Sequence, residues 1–202
     1  MKIKLYFCII ILAILSPAFG DLIGHWDFEE GSGAQALDSS GNALHGSISN
    51  ASYTTGRVGN YALNFNGSNS FVEIAHQNKL SPATIGISLW FKGRASQVTH
   101  ADILDKGHGW NSSPYYSGYV FQYSGDSSAL GFGYGDTTNF RSPGGVANAK
   151  DDVWHHIVVN LGQDEISSYV DGVLISKAAG YGPIAENNQN LYFGRHQVGA
   201  RY

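Results

Sequence analysis

The stretch DDVWHHIVVN, residues 151–160, decides the fold class. Successive side chains of a strand point to opposite faces, so His155 and His156 cannot both reach one ion. The residues that follow are apolar on both faces, which is typical of a buried strand in a sandwich. We therefore predict an architectural strand here, with Trp154 in the core, rather than a metal or catalytic site.

Period-two alternation of side chains recurs elsewhere and predicts further strands. In LGFGYG, residues 130–135, bulky side chains alternate with glycine, so a neighbouring group is expected to pack closely over the bare face. The pair Asp171-Gly172 predicts a type I′ hairpin turn with Val170 facing Val173. The other alternating segments are Ile87–Leu89–Phe91 and Tyr119–Phe121–Tyr123.

Composition agrees with a chain of many short strands joined by tight turns. Among 202 residues there are 26 glycines, and aromatic residues make up 13% against 14% charged residues. We see no internal repeat and no linker. The sequence therefore predicts one all-β domain, residues 21–202, built as a two-sheet antiparallel jelly-roll sandwich.

The first twenty residues have the layout of a secretory signal peptide. Lys2 and Lys4 precede an apolar run, and small residues follow it at 18–20. A buried or membrane-anchoring helix is the alternative, although the run is short for a span. We expect a secreted or extracytoplasmic protein, on the cell surface or in the periplasm, without membrane insertion after cleavage. Cleavage would remove Cys8, the only cysteine, so disulfides are not expected.

The charge balance bears on the class of partner. The formal net charge is −4, and lysine and arginine form no run anywhere. Nucleic acid and anionic membranes are therefore poor candidate partners.

Six segments follow one another along the chain: GHWDFEEGSGAQALDSSGNALHG, GNYALNFNGSNSFVEI, ISLWFK, WHHIVV, YVDGVLIS and LYFGR. In this order they resemble laminin-G-like jelly-roll domains of the concanavalin A-like lectin and glucanase superfamily. The resemblance implies a carbohydrate- or protein-binding module, often with a structural calcium ion. It also implies a closing strand after LYFGR, beside an N-terminal strand with Ile23, His25 and Asp27. The sequence stops at Tyr202, so we expect either a truncated domain that lacks that last strand or a domain in which another segment replaces it.

Carboxylate spacing argues against a hydrolase. Glycosidases need two carboxylates flanking one bond, and glucanase relatives carry paired glutamates on one strand. The sequence contains neither Glu-x-Asp-x-x-Glu nor Glu-x-Asp-x-Glu. Asp102 and Asp105, near His100 and His108, form a possible cluster that a solvated loop explains as well. We expect no catalysis unless a carboxylate pair assembles from distant strands.

Calcium is the better chemical hypothesis. The segment LDSSGNALHG places Asp38, a glycine turn and Asn42 within five residues, and calcium prefers such oxygen ligands. The resemblance places family calcium ligands near this turn. The alternative is an Asx turn in which Asp38 caps its own backbone.

Aromatic residues on a loop indicate where a glycan would bind. The run HGWNSSPYYSGY places Trp110, Tyr115 and Tyr116 beside Asn111 and serines. Aromatic faces and nearby polar groups suit sugar rings and hydroxyls. The alternative is that the loop folds these rings onto the sandwich. We expect a non-catalytic module that binds glycans, with adhesion to an extracellular protein as the rival function.

Overall fold

The computed structural model describes residues 20–94, 101–107, 116–123, 129–142, 145–148, 150–162, 164–180 and 182–196. These residues form fifteen strands and one 3₁₀ turn, Asn78–Leu80. The strands are β1 (Gln35–Ala36), β2 (Gly46–Ser49), β3 (Ser52–Thr55), β4 (Tyr61–Asn64), β5 (Phe71–Ile74), β6 (Ile85–Lys92), β7 (Asp102–Asp105), β8 (Tyr119–Tyr123), β9 (Ala129–Gly135), β10 (Phe140–Arg141), β11 (Gly145–Asn148), β12 (Trp154–Leu161), β13 (Glu165–Val170), β14 (Val173–Ala179) and β15 (Leu191–Phe193).

The strands build the two-sheet antiparallel sandwich that the alternation predicts. A nine-stranded sheet has the order β1-β2-β5-β15-β7-β8-β9-β10, with β11 also paired to β9. A four-stranded sheet has the order β14-β13-β12-β6, and β3 and β4 form a separate hairpin. All pairs between these strands are antiparallel, as in a jelly roll.

The hydrophobic core lies between the two sheets. Ile157 and Val159 of β12 are 1% exposed and belong to one buried cluster with Phe121 and Phe132 of the nine-stranded sheet. The rings of Phe91 and Tyr123 meet across the two sheets, with centroids 6.0 Å apart. The apolar alternation of the sequence therefore marks the core face of each sheet.

Two local predictions about turns and glycines are confirmed. Val170 pairs with Val173 across Asp171-Gly172, and these two turn residues have φ of 50° and 81°. On β9, the ring of Phe140 occupies the space where a Cβ at Gly133 would lie. The bare face of β9 is thus needed for close packing.

The N-terminal region differs from the expectation. Residues 20–34 contain no strand, so the predicted strand around Ile23, His25 and Asp27 is not formed. Trp26 and Phe28 instead pack edge-on against Phe193, with ring centroids 5.3 and 6.3 Å away. A ring anchors the segment through side-chain packing without needing a ladder of backbone hydrogen bonds.

Both predictions about the chain ends fall largely outside the described residues. The predicted signal peptide, residues 1–20, is described only at Gly20, and residues 197–202 are not described. Within the described ranges, no helix is long and apolar enough to cross a membrane.

Candidate binding site

The outer face of the four-stranded sheet carries two tryptophans side by side. Trp154 pairs with Lys92 across β12 and β6, and the next outward-facing pair is His156 with Trp90. On β6 the outward residues are exposed and the inward ones half-buried, in strict alternation. The register therefore sets the two indoles on adjacent rungs of one solvent-facing surface.

Trp90 is held in place by its neighbours. Its ring lies 5.1 Å from the imidazole of His156, centroid to centroid, and the guanidinium of Arg57 lies 5.1 Å above it. His156 is itself fixed by a 2.9 Å hydrogen bond between Nε2 and Ser88 Oγ. Trp90 keeps 40% of its surface exposed. The indole thus supports a cation at the surface.

A cleft of about 230 Å³ opens where Trp154 meets the β3–β4 hairpin. We call it the Trp154 cleft. The hairpin supplies two hydroxyls, one amide and one leucine, and the sheet side supplies the indole, two cations and one carboxylate. Its lining residues are Thr54, Thr55, Leu63, Asn64, Lys92, Arg94, Asp152 and Trp154.

The hairpin wall is fastened to the N-terminal segment by two glutamates. The carboxylate of Glu29 accepts hydrogen bonds from the backbone N–H groups of Tyr61 and Asn60, and these bonds lower the pKa of Glu29. The hydroxyl of Tyr53 donates to Glu30 at 3.1 Å. At the mouth, Arg94 Nη2 donates to Asn64 Oδ1 at 2.8 Å and joins the hairpin to the end of β6. The wall is therefore preorganised.

The prediction that Trp154 lies in the core is wrong. Its side chain is half-buried, points to the outer face and does not belong to the buried cluster or to the residues packed against it. The physical reason is strand parity: Ile157 and Val159 fill the core, so Trp154 must face the other way. Sequence reasoning missed this site because the covering hairpin comes from residues 52–64, far away in the chain.

His155 has a structural position, as the sequence indicated. Its Nδ1 lies 2.7 Å from Asp171 Oδ2, and its Nε2 lies 3.0 Å from Asp151 Oδ2. Hydrogen bonds with Asp171 and then with Asp151 raise the pKa of His155, because they favour the protonated ring. His155 thereby ties the start of β12 to the β13–β14 turn.

The predicted calcium ligands Asp38 and Asn42 do lie in one turn, but their oxygens already accept hydrogen bonds. Asp38 Oδ1 accepts from the N–H groups of His25 and Ser40, and Oδ2 accepts from Leu44 N–H and the Ser40 hydroxyl. Burial would raise the pKa of Asp38, yet these bonds outweigh it and hold the pKa at about 2.

Asn42 is occupied in the same way. Its amide nitrogen donates to the carbonyls of Leu22 and Ile23 at 2.9 Å each, and its Oδ1 accepts from the ammonium of Lys79. Because the Lys79 ammonium lies next to this oxygen, charge repulsion disfavours a calcium ion there. The donor set therefore fits the Asx turn better than an ion, and a calcium role for Asp38 and Asn42 stays a prediction.

The predicted glycan loop is described only at its end. Trp110, Asn111 and Tyr115 lie outside the described residues. Tyr116 is half-buried, and its carbonyl accepts a 2.9 Å hydrogen bond from Thr137 N–H. Its backbone lies against Gly135, where a Cβ would clash. The backbone of Tyr116, three residues before β8, is thus held in place by Thr137 and Gly135.

The other end of that loop is clamped by Asn187. Its amide donates to the carbonyls of Lys106 and Gly107 at 2.8 Å each, and its Oδ1 accepts from Lys106 Nζ at 2.6 Å. Burial lowers the pKa of Lys106 to about 8, although the charge of Asp105 opposes this. The residues on either side of the loop are therefore fixed by hydrogen bonds, Lys106 and Gly107 to Asn187 and Tyr116 to Thr137.

Asp102 and Asp105 are buried strand residues, so the solvated-loop interpretation of them is wrong. Asp102 pairs with Gln122 and Asp105 with Val120, with an irregularity between Asp102 and Leu104. Asp102 and Asp105 are three residues apart, and this bulge places their carboxylates on one face of β7. His100 and His108 lie outside the described residues, and the histidine that joins the aspartates is His196.

The group Asp102–Asp105–His196 could hold a metal ion. One ligand atom from each residue lies within 4.8 Å of the others, and all three side chains are buried. His196 Nε2 is 3.9 Å from Asp102 Oδ2. Two carboxylates with an imidazole suit a transition ion better than calcium, which prefers oxygen alone. This group does not correspond to the calcium site expected at Asp38.

Residues 66–202 match the family model described as concanavalin A-like lectin/glucanases superfamily. The chain belongs to this superfamily, as the six sequence segments indicated. No curated protein matches the chain by sequence alone.

Solved structures share the fold at low identity. Domain 4 of AbnA, a GH43 extracellular arabinanase from Geobacillus stearothermophilus solved with arabinotriose, is 17% identical, with a TM-score of 0.65 over 90% of this chain and 86% of that one. The receptor binding domain of botulinum neurotoxin D is 12% identical, with a TM-score of 0.60, covering 79% of this chain and 41% of that one. The binding domain of botulinum neurotoxin DC with SialylT is 16% identical, with a TM-score of 0.56 and coverages of 81% and 41%.

Proposed function

We propose that the protein is a secreted, non-catalytic carbohydrate-binding module and that its sugar site is the Trp154 cleft. The observation that carries the proposal is the half-buried Trp154 indole, which faces a cleft bordered by Thr54, Thr55 and Asn64. An indole face matches the C–H groups of a sugar ring, and hydroxyls and amides match its hydroxyls.

The chemistry of similar folds supports a glycan as the ligand. The AbnA domain was solved with arabinotriose, and one neurotoxin binding domain with SialylT. Another neurotoxin DC structure holds rat synaptotagmin II, which keeps an extracellular protein as the rival partner. The cleft favours the glycan, because its volume is only about 230 Å³, whereas a specific protein interface buries roughly 800 Å² on each partner.

The proposal of a non-catalytic role rests on the carboxylates. Glycoside hydrolysis needs two of them on either side of one bond. Among the described residues that line the cleft, Asp152 is the one carboxylate. Asp102 and Asp105 form a pair on a different sheet, but their side chains are only 2% and 0% exposed. Substrate cannot reach them without rearrangement of the surrounding chain.

Three further features predicted from the sequence belong to the proposal: a second glycan contact, a calcium ion and secretion. Trp110, Asn111, Tyr115 and Tyr116 are proposed as a second glycan contact, on a loop with anchored ends. Calcium at Asp38 and Asn42 and secretion by the N-terminal segment are proposed alongside.

A glycan array, read with calcium and with chelator, tests the function. We expect binding to a restricted set of glycans, and Trp154→Ala should abolish it while Leu174→Ala, exposed on β14, retains it. Release of reducing ends from a bound polysaccharide would establish a hydrolase instead. Binding of an extracellular protein that added sugars do not displace would establish the rival function, adhesion to a protein. A triple alanine variant at Trp110, Tyr115 and Tyr116 that binds fully would remove the loop from the site.

A further inference from the structure

Positive charge is concentrated around the Trp154 cleft, although the chain as a whole is acidic. Lys92 and Arg94 line the cleft, and Arg57 lies on the neighbouring Trp90. Within the part of the chain that the structure describes, Asp152 is the one acidic residue of the lining. The formal net charge of the whole chain is −4. A local excess of cations on an acidic protein is an electrostatic feature that attracts anions to this cleft.

The cations are placed to act on a group that rests on the Trp154 ring. Lys92 lies directly opposite Trp154 in the β6–β12 ladder, so its stem shares the outer face with the indole. Both Lys92 and Arg94 are exposed, and their charged ends stay in reach of solvent and ligand.

Arg94 and Arg57 are also held in defined positions. The guanidinium of Arg94 has five N–H donors and uses one, on Nη2, to bind Asn64, so it can hold the cleft wall and a ligand together. Arg57 is held over Trp90 by the attraction between the cation and the ring. Ordered guanidinium groups bind planar or tetrahedral oxyanions with two parallel hydrogen bonds.

We infer that the Trp154 cleft selects a sugar bearing an anionic group, in which the ring stacks on Trp154 and the oxyanion meets Lys92 and Arg94. This inference rests on the proposed carbohydrate-binding function and names its ligand class. The oxyanion has two possible sources, the carboxylate of a uronic acid and a sulfate ester. Lys92 and Arg94 can donate hydrogen bonds to a carboxylate or to a sulfate, so the experiment must distinguish the two groups.

The test is calorimetric titration of the full chain with three probes of similar length: a neutral oligosaccharide, an oligouronate and a sulfated oligosaccharide. At least one anionic probe should bind about tenfold more tightly than the neutral one, a difference of about 1.4 kcal/mol. That advantage should shrink between about 0.05 and 0.5 M salt, because the contacts are exposed and screened. The tighter of the two anionic probes identifies the oxyanion.

Charge variants assign the effect to the cleft. Lys92→Gln and Arg94→Gln should each weaken binding of the anionic probes more than binding of the neutral probe, and so remove most of the anionic advantage. The matched control is Lys177→Gln. The Lys177 ammonium bonds to Glu165 at 2.8 Å, on the edge of the same sheet that lies farthest from β6. This variant should keep the preference for the anionic probe. Trp154→Ala should weaken binding of all probes.

The outcomes separate this inference from the proposed function. Equal affinity for neutral and anionic probes, with both lost in Trp154→Ala, overturns the anionic selection and retains the carbohydrate-binding function. Failure of every glycan to bind overturns both. An anionic advantage that survives the two charge variants shows that the oxyanion binds elsewhere and overturns the inference. Binding of a random oligonucleotide as tight as that of the best sugar shows charge attraction without sugar selection and also overturns the inference.

Discussion

Trp90 and His156 lie opposite each other on β6 and β12, with ring centroids 5.1 Å apart and planes inclined by 31°. This contact lies on the face of the sheet that turns away from the core. The strand that supplies Ile157 and Val159 to the interior therefore also supplies the aromatic surface outside. Alternation along one strand serves the fold and the candidate site at once.

The two faces of β12 should respond differently to truncation. Ile157→Ala is expected to lower the free energy of unfolding by about 2–5 kcal/mol, because it leaves a cavity in the core. Trp154→Ala on the outer face should cost less than half of the loss measured for Ile157→Ala. Urea unfolding of both variants measures the difference. Equal losses would show that Trp154 carries core packing after all.

The His155 bridge should make stability depend on pH. Hydrogen bonds with Asp171 and then with Asp151 raise the pKa of His155, so its stabilisation is complete below the unfolded value of about 6.5 and is lost as pH rises through the folded pKa. The pKa of each aspartate is lowered, so their share is lost only as the pH falls well into the acid range.

Melting curves from pH 4 to 9 test this bridge. The difference in Tm between the native protein and His155→Gln should be largest at about pH 4–6 and should shrink above about pH 7. Asn160→Ala, an exposed position on the same strand, serves as the control with a constant difference. A His155→Gln difference that does not change with pH would exclude the bridge.

Two glycines of β9 form a matched pair. A Cβ at Gly135 would overlap the backbone of Tyr116 and Ser117, whereas a Cβ at Gly131 meets nothing closer than Gln122 O at 3.9 Å. Gly135→Ala should therefore destabilise by about 1–3 kcal/mol through overpacking. Gly131→Ala should stay within about 0.5 kcal/mol of the native protein. Chemical denaturation of the two variants decides, and similar stabilities would contradict the placement of Tyr116.

The Asp38 turn should stabilise the fold even without calcium. Asp38→Ala leaves the N–H groups of His25, Ser40 and Leu44 without their acceptor, which should cost on the order of 3 kcal/mol in chelator. The calcium prediction is tested in the same melts: a bound ion at a hundredfold excess over its Kd adds about 2.7 kcal/mol. A melting curve that does not change with calcium would contradict the calcium prediction. A melting curve of Asp38→Ala in chelator that matches the native protein would contradict the stabilising role of the hydrogen-bonded turn.

Local patterns predicted several elements correctly, but they did not predict the packing between distant segments of the chain. The alternation in β12, the Asp171-Gly172 turn and the glycine face of β9 follow from the geometry of one strand or one turn. The Trp154 cleft needs a hairpin from 90 or more residues earlier to close over the sheet, which no local pattern encodes.

The buried aspartates show a second limit. Spacing of three on a regular strand would put Asp102 and Asp105 on opposite faces, and only a bulge brings them together. Their partner His196 follows β15, more than 90 residues later. Sequence distance conceals both the bulge and the partner.

The central claim is that Trp154 forms the sugar site, and calorimetric titration of the best array glycan into three proteins tests it most directly. We predict that Trp154→Ala weakens binding at least about tenfold, or 1.4 kcal/mol, with a cooperative melt retained, and that Trp154→Phe recovers part of the affinity because an aromatic face remains. Unchanged affinity in a folded Trp154→Ala protein would contradict the account.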